Sequence, residues 1–487
     1  MHRIAFLILR LVALPSCHCC LSSFYHHMNL TEQMPHLRRR FVATFGDGDI
    51  RVLRAPARIN ILGEHVDYVS YLPTASLPFG SQQHGMLMLF RANDCGQIRG
   101  ASVNNEFTPF SFDVDEPGNF PATENADEAW AKWLQAQGTP APHWSNYVKG
   151  AVWYARMQHR KQIARGFDFL IDSSIPPKGG ASSSSALVVL AGTAIRRINE
   201  VDFTAENLAF ESSRAEWYVG TRGGALDHTA ICLAEENCAV HLNYATSKAI
   251  LVTLPNDHYC WVTFFSHEAD KGKAVMLAYN ERAAVARLLI PAVLHQAGIN
   301  ADASGDFLSA IPETLSLAQA EKLYPAAFAK CRQSFPALVA DRVSQPLKLR
   351  DRARHHLSEA QRVTDAVNLL RETFSTRQTS EKTATAMHQS GHLINASHES
   401  LRDHYEVSTA AVEQLRDLIL ADQNVYGARL MGGGFGGNVL ALTTMENAPK
   451  LAAEIQQRYY APQGRHAMRE GAIMISTPGN GLSEIRW

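Results

Sequence analysis

A run of small residues between a strand and a buried helix constrains this chain more than any other feature. Phe167, Phe169 and Ile171 alternate with Asp168 and Asp172, the period-two pattern of a half-buried strand. Ala186 to Asn199 is apolar nearly all round, which predicts a buried helix. Between them lies Pro176-Pro177-Lys178-Gly179-Gly180-Ala181-Ser182-Ser183-Ser184-Ser185. Small side chains let backbone N–H groups close on phosphate oxygens, and a helix N-terminus adds its dipole. Serine hydroxyls can ligate Mg²⁺ or donate to phosphate. The simpler alternative is a flexible loop capped by Ser185. Apolar sequence on both sides argues against it.

The 487 residues suit two or three domains at about 100–200 residues each. An apolar share of 46% against 19% charged residues fits packed cores and excludes a disordered chain. Lys+Arg 46 against Asp+Glu 47 leaves a net charge of -1. No global field attracts nucleic acid or an anionic membrane, so any anion site is local. The apolar run Ile4 to Pro15 is broken by Arg10 and followed by Ser16, Cys17, Cys19 and Cys20. It is a mediocre signal peptide and too short to span a membrane. Residues 1–27 are expected to be a leader or an over-long start, with folded sequence from about Met28. The five later cysteines are scattered, which suits a reducing compartment and predicts a cytoplasmic protein.

Arg51 to Arg54 alternates and runs into Ala55-Pro56, so it predicts a strand ending in a turn. Met86 to Arg91 predicts another strand. Residues Asp113 to Pro142 predict a surface loop around a short helix at Ala126–Ala136. From about Ala274 the pattern turns helical, with apolar spacing over Arg352 to Thr373 and Val407 to Leu420. Val439 to Thr444 predicts a late strand. A boundary falls somewhere in Tyr244 to Pro255, dividing the chain into residues 28–245 and 246–487.

Three further segments carry chemistry. Arg58, Asn60, Glu64, His65 and Asp67 cluster around Gly63. Burying them is costly without partners, and such a set suits a polyhydroxylated ligand; a salt-bridged surface turn is the equal alternative. Gly223-Gly224-Ala225-Leu226-Asp227-His228 places a carboxylate after a glycine turn; on this segment alone, a cap on the next helix is the favoured reading. Met431-Gly432-Gly433-Gly434-Phe435-Gly436-Gly437 leads into a strand, the wrong context for a dinucleotide fold. It is either a tight turn or a backbone wall beside a nucleotide.

In this order the segments resemble the GHMP small-molecule kinases, and within them the galactokinase-like sugar kinases. Ala55 to Tyr68 resembles the sugar signature, the serine loop the phosphate loop, Gly224 to Asp227 the catalytic-aspartate segment, and Met431 to Gly437 the third glycine motif. Trp144 to Gly150, Arg352 to His355 and Ser397 to Leu401 are weaker matches. The resemblance spans about Phe41 to Leu442. It implies a two-domain α+β fold with the active site in the interdomain cleft. It implies ATP- and Mg²⁺-dependent phosphorylation of a small-molecule sugar at its anomeric hydroxyl. Galactose is the first expectation; a uronic acid, an arabinose or an N-acetylhexosamine are alternatives, as is a non-catalytic sugar sensor.

The resemblance implies roles as well. Asp227 would orient or deprotonate the anomeric hydroxyl, with Arg58 stabilising charge. Glu64, His65, Asp67, Gly224 and Tyr279 would hold the sugar. Lys178, Gly179, Gly180, Ser182, Ser183, Ser184, Ser185, Gly433 and Gly434 would bind ATP, with Ser184 and Glu216 as Mg²⁺ ligands. Four departures stand out. Val69-Ser70-Tyr71 leads directly to Leu72-Pro73, a shorter loop than the family's; Lys178 replaces a small residue; His228 stands where Gln is common; and Asn438 ends the last glycine motif.

Overall fold

The computed structural model describes residues 30–118, 120–121, 125–159, 162–177, 179–220, 223–255, 258–268, 273–341, 346–374, 380–464 and 471–486. Lys178 and residues 1–27, the expected leader or over-long start, lie outside them.

The first half of the chain is built on a mixed sheet. Its strand order is Ser483–Ile485, Arg51–Asn60, Pro78–Asn93, Gly166–Ser173, Gln97–Ser102 and Phe110–Asp113, with Pro478–Gly479 also on Pro78–Asn93. Only Gln97–Ser102 and Gly166–Ser173 run parallel. Period-two alternation sends side chains to both faces. Val52, Leu87, Leu89 and Leu170 meet Met34, Leu37 and Phe41 of the helix Leu30–Phe45. Leu53, Met88, Phe90, Phe167 and Phe169 meet the other core, which includes Leu187, Val188, Leu190 and Ala191 of the helix Ser183–Ile198.

The strand expected to stop at Ala55-Pro56 instead runs from Arg51 to Asn60. The pairing register with Pro78–Asn93 shifts between Pro56 and Arg58. An irregularity of this kind tolerates a residue that cannot donate to the ladder. The continuation carries Arg58 and Asn60 to the far end of the sheet, where the site lies.

A second, antiparallel sheet has the order Val425–Met431, Asn438–Thr444, Tyr259–Phe265 and Ile473–Ser476. Its own core includes Val262, Phe264, Leu430 and Val439 with Leu401, Leu415 and Ile419. The helix expected from Val407 begins at Ala410, because extended Thr409 accepts from the Val412 N–H and caps it. The long helices Leu349–Phe374 and Ser380–Asp403 complete this half. A third cluster ties Val66, Tyr68, Val69 and Leu72 to Leu289, Val293, Phe307 and Leu349. The shortened loop after the sugar signature is thus packed against the helical second half. The fold is α+β. Residues 244–247 turn between the paired strands Cys238–Asn243 and Lys248–Thr253.

Candidate active site

Arg58 and Asp227 meet in a cleft of about 200 Å³, lined from both halves of the chain. Arg58 Nε donates to Asp227 Oδ1 at 2.7 Å. Asp227 is in the first turn of the helix Leu226–Leu233, but its side chain does not cap it. The alternative of a capping aspartate is therefore set aside. Arg58 is almost wholly enclosed, while about one third (31%) of the Asp227 side chain stays open to the cleft. Burial pushes the Asp227 carboxyl up. Arg58, by charge and hydrogen bond, more than offsets this and holds it below the ordinary carboxylate range.

The sugar-signature residues Glu64, His65, Asp67 and Tyr68 line the same cleft, with Gly224 and Tyr279 beside them. Asp67 Oδ2 accepts from the Gly224 N–H at 3.0 Å. A Cβ at position 224 would sit 2.4 Å from that oxygen, so only glycine fits. Burial, and then the Asp227 charge, push the Asp67 carboxyl up to about 6. Burial holds the His65 imidazole down at about 4. Its Nδ1 is 2.7 Å from the Tyr68 hydroxyl.

At the other end of the cleft, Ser185, Ser213, Glu216, Trp217 and His228 form the wall. Ser185 Oγ donates to Glu216 Oε2 at 2.9 Å, and His228 Nε2 lies 2.8 Å from the same oxygen. Among the described hydrogen bonds it is Ser185, not Ser184, that meets Glu216. Ser182 is left-handed (φ 62) at the start of the helix Ser183–Ile198. Its buried Oγ, beside Asp227, makes no well-formed hydrogen bond. The third glycine motif turns between two antiparallel strands and also forms a wall. A Cβ on Gly432 (φ +96) would come within 3.3 Å of Gly180 Cα, so the two glycine loops abut. Gly433 lines the cleft; Gly434 instead packs on Val407. Of the expected ATP-binding residues, Ser185 and Gly433 line this cleft; Gly179, Gly180, Ser182, Ser183 and Ser184 are not among its lining.

Several residues that hold the site escape a reading of the sequence. Arg429, fully buried, donates to Glu64 Oε2 at 2.8 Å and to the Asn60 carbonyl at 2.6 Å. Glu359, also fully buried, accepts from the Gly63 N–H, Ser397 Oγ and Arg362 Nε, each at 2.8 Å. Burial works against its charge, yet Arg362 and other cations hold it down at about 2. Signals were present: Arg429 is a charge inside an apolar strand, and Glu359 and Ser397 lie by two of the weaker matches. The turn Asp351 to Arg354 is only partly solvated, because Arg352 is buried on Glu406 at 2.9 Å.

Comparison with known families agrees with this geometry. The GHMP kinases N terminal domain matches residues 146–235 and the GHMP kinases C terminal domain residues 380–461. The galactokinase galactose-binding signature matches residues 39–75. The chain belongs to the GHMP kinases. This GHMP kinase is 26% identical to a galactokinase of Chloroflexus aurantiacus over 460 residues, 93% of this chain and 97% of the relative. It is 28% identical to a galactokinase of Bos taurus over 436 residues, 88% and 93% of the two chains. The solved Lactococcus lactis galactokinase complexed with galactose superposes with a TM-score of 0.68 at 25% identity, covering 93% of this chain and all of that one. A mevalonate kinase shares the fold, with a TM-score of 0.52 at 12% identity over 88% of this chain and 99% of its own.

Proposed function

We propose that this GHMP kinase transfers the γ-phosphoryl group of ATP to the anomeric hydroxyl of galactose. The Arg58–Asp227 pair carries the reading: a carboxylate kept ionised in a cleft lined by the sugar signature and by Ser185, the last residue of the small-residue loop, with Glu216. Phosphoryl transfer asks a protein mainly for positioning and charge. Asp67, His65, Glu64 and Tyr279 hold the sugar hydroxyls, with Arg429 and Glu359 fixing the backbone and carboxylate of the signature. Asp227 accepts a hydrogen bond from the anomeric hydroxyl and aims its oxygen at the γ-phosphorus. The sugar O–P bond forms as the bond to the β–γ bridging oxygen breaks. ADP leaves with that electron pair, and the hydroxyl proton passes to Asp227 and on to water. Arg58 makes the carboxylate a weak base, so orientation contributes more than early proton abstraction. Arg58 Nη1 is buried without a hydrogen-bond partner, a donor suited to charge on the transferring group.

The donor set suits Mg²⁺, which prefers carboxylate and hydroxyl oxygens. Glu216 with Ser184 or Ser185 would hold it, and it would supply positive charge to the phosphates. The small-residue segment Gly179 to Ser185 and Gly433 would take the ATP side of the site, and the family resemblance adds Lys178 to them. Among the described residues no helix is long and apolar enough to cross a membrane. The described cysteines are free thiols, which fits a cytoplasmic enzyme.

A panel of free sugars, assayed for ADP release with purified protein, tests this function. Galactose is expected to give the highest kcat/KM, and phosphorus NMR to place the phosphate on the anomeric oxygen. A product phosphorylated on a primary hydroxyl, or a protein that binds galactose and ATP without turnover, would refute it.

A further inference from the structure

Behind the sugar end of the cleft, four hydrogen bonds link side chains from three separate segments. His65 Nδ1 is 2.7 Å from Tyr68 OH, and Tyr68 OH is 3.0 Å from Tyr405 OH. Tyr405 OH is 3.1 Å from His356 Nε2, and His356 Nδ1 is 2.7 Å from Tyr71 OH. Tyr405 and His356 are fully buried and lie outside the cleft lining; Tyr71 is half-buried on the shortened loop. Burial keeps both imidazoles neutral, His65 down at about 4 and His356 well below the ordinary imidazole range.

A neutral imidazole has one donor and one acceptor, and a hydroxyl donates once. Such a chain is fully satisfied in only two ways, with every bond pointing inward or every bond pointing outward. The inner end decides between them. His65 Nε2 is buried with no well-formed hydrogen bond; the Gly433 backbone carbonyl interacts with the His65 ring, whose Nδ1 is already taken by Tyr68. A carbonyl only accepts, so the proton of His65 belongs on Nε2.

We infer that Tyr71, His356 and Tyr405 are positioning residues that fix His65 as an Nε2–H donor facing the sugar pocket. Tyr71 O–H donates to His356 Nδ1, His356 Nε2–H to Tyr405, Tyr405 to Tyr68, and Tyr68 to His65 Nδ1. His65 then offers a sugar an N–H and selects an oxygen that accepts. That consequence for the sugar rests on the function proposed above; the direction of the relay does not.

The test is long-range proton–nitrogen NMR on the full chain with ¹⁵N-labelled histidine. Signals of His65 and His356 are assigned by their loss in His65→Gln and His356→Gln. The relay requires the Nε2–H tautomer at both rings. An Nδ1–H tautomer at either ring overturns it, and this readout needs no variant. Tyr405→Phe keeps the ring but cuts the chain. His356 then loses its acceptor and gains the Nδ1–H form. The galactose KM rises by about two- to tenfold, the worth of one neutral hydrogen bond, while the ATP KM holds. A Tyr405→Phe protein with the wild-type His356 tautomer and galactose KM also overturns the relay. Correct tautomers in a protein that phosphorylates no galactose would uphold the relay and remove only the sugar reading.

Discussion

Asp67 and Asp227 share one cleft and are driven in opposite directions. Burial and the neighbouring Asp227 charge raise Asp67 to about 6, while Arg58 keeps Asp227 ionised. Paired groups pushed apart in this way take different roles. In the proposed role, ionised Asp67 accepts hydrogen bonds from sugar hydroxyls, so galactose affinity should rise from pH 5 to pH 7 and the slope should vanish in Asp67→Asn. Calorimetry over that range checks it; a flat wild-type profile would contradict the role. The same shift works against the fold. The unfolded carboxyl ionises near 3.8 and the folded one at about 6, so stability is lost as pH rises through that window. The sequence made Arg58, Glu64, His65 and Asp67 legible, because four polar residues around one glycine need a reason to be there. Arg429 and Glu359 were not singled out. Arg429 meets Asn60 and Glu64, and Glu359 meets Gly63, across hundreds of residues, so a charge in an apolar strand shows locally but its partner does not.

Elements position these residues through their ends. The helix Ser183–Ile198 brings Ser185 to Glu216 at 2.9 Å, and the first strand delivers Arg58 and Asn60 past Pro56. Both helix and strand were foreseen from periodicity. The length of the strand was not, because a proline that ends a strand and one that sits at a register shift look alike in sequence. Which serine meets Glu216 was equally hidden: four in a row give no register. If Glu216 holds Mg²⁺, Glu216→Gln should raise the Mg²⁺ concentration for half-maximal activity by about 10–100-fold. A Mg²⁺ titration of turnover reads this, and an unchanged midpoint would move the metal elsewhere. The helix Leu349–Phe374 carries Glu359 to the Gly63 backbone. Its folded carboxyl is depressed to about 2 from an ordinary 4.5, so this stability is present above pH 4.5 and lost as pH falls through about 2. At neutral pH Glu359→Gln breaks a buried ion pair, a change that costs about 3–5 kcal/mol. Thermal unfolding should show a clearly lower midpoint, and a wild-type midpoint would show that Glu359 holds nothing.

At the scale of the whole molecule, the last strands close the structure. Ser483–Ile485 pairs with Arg51–Asn60, and Pro478–Gly479 with Pro78–Asn93, so the end of the chain covers the sheet edge that carries Arg58. Removing residues 478–487 should leave that edge unpaired and lower the thermal midpoint and solubility. A soluble truncated protein with the full midpoint would make the return ornamental. This closure was not foreseen, since three-residue strands leave no periodicity to read. The two-part organisation was legible in outline, and the cleft it creates is where the central claim stands: Asp227 serves the reacting hydroxyl. A carboxylate that matters only as the proton leaves should affect turnover more than binding. The decisive measurement is Asp227→Asn, with galactose binding followed by calorimetry and turnover by ADP release. Galactose should still bind, while kcat falls by about 10²–10⁴-fold, the usual worth of a general base. Near-normal turnover in the variant would contradict the account.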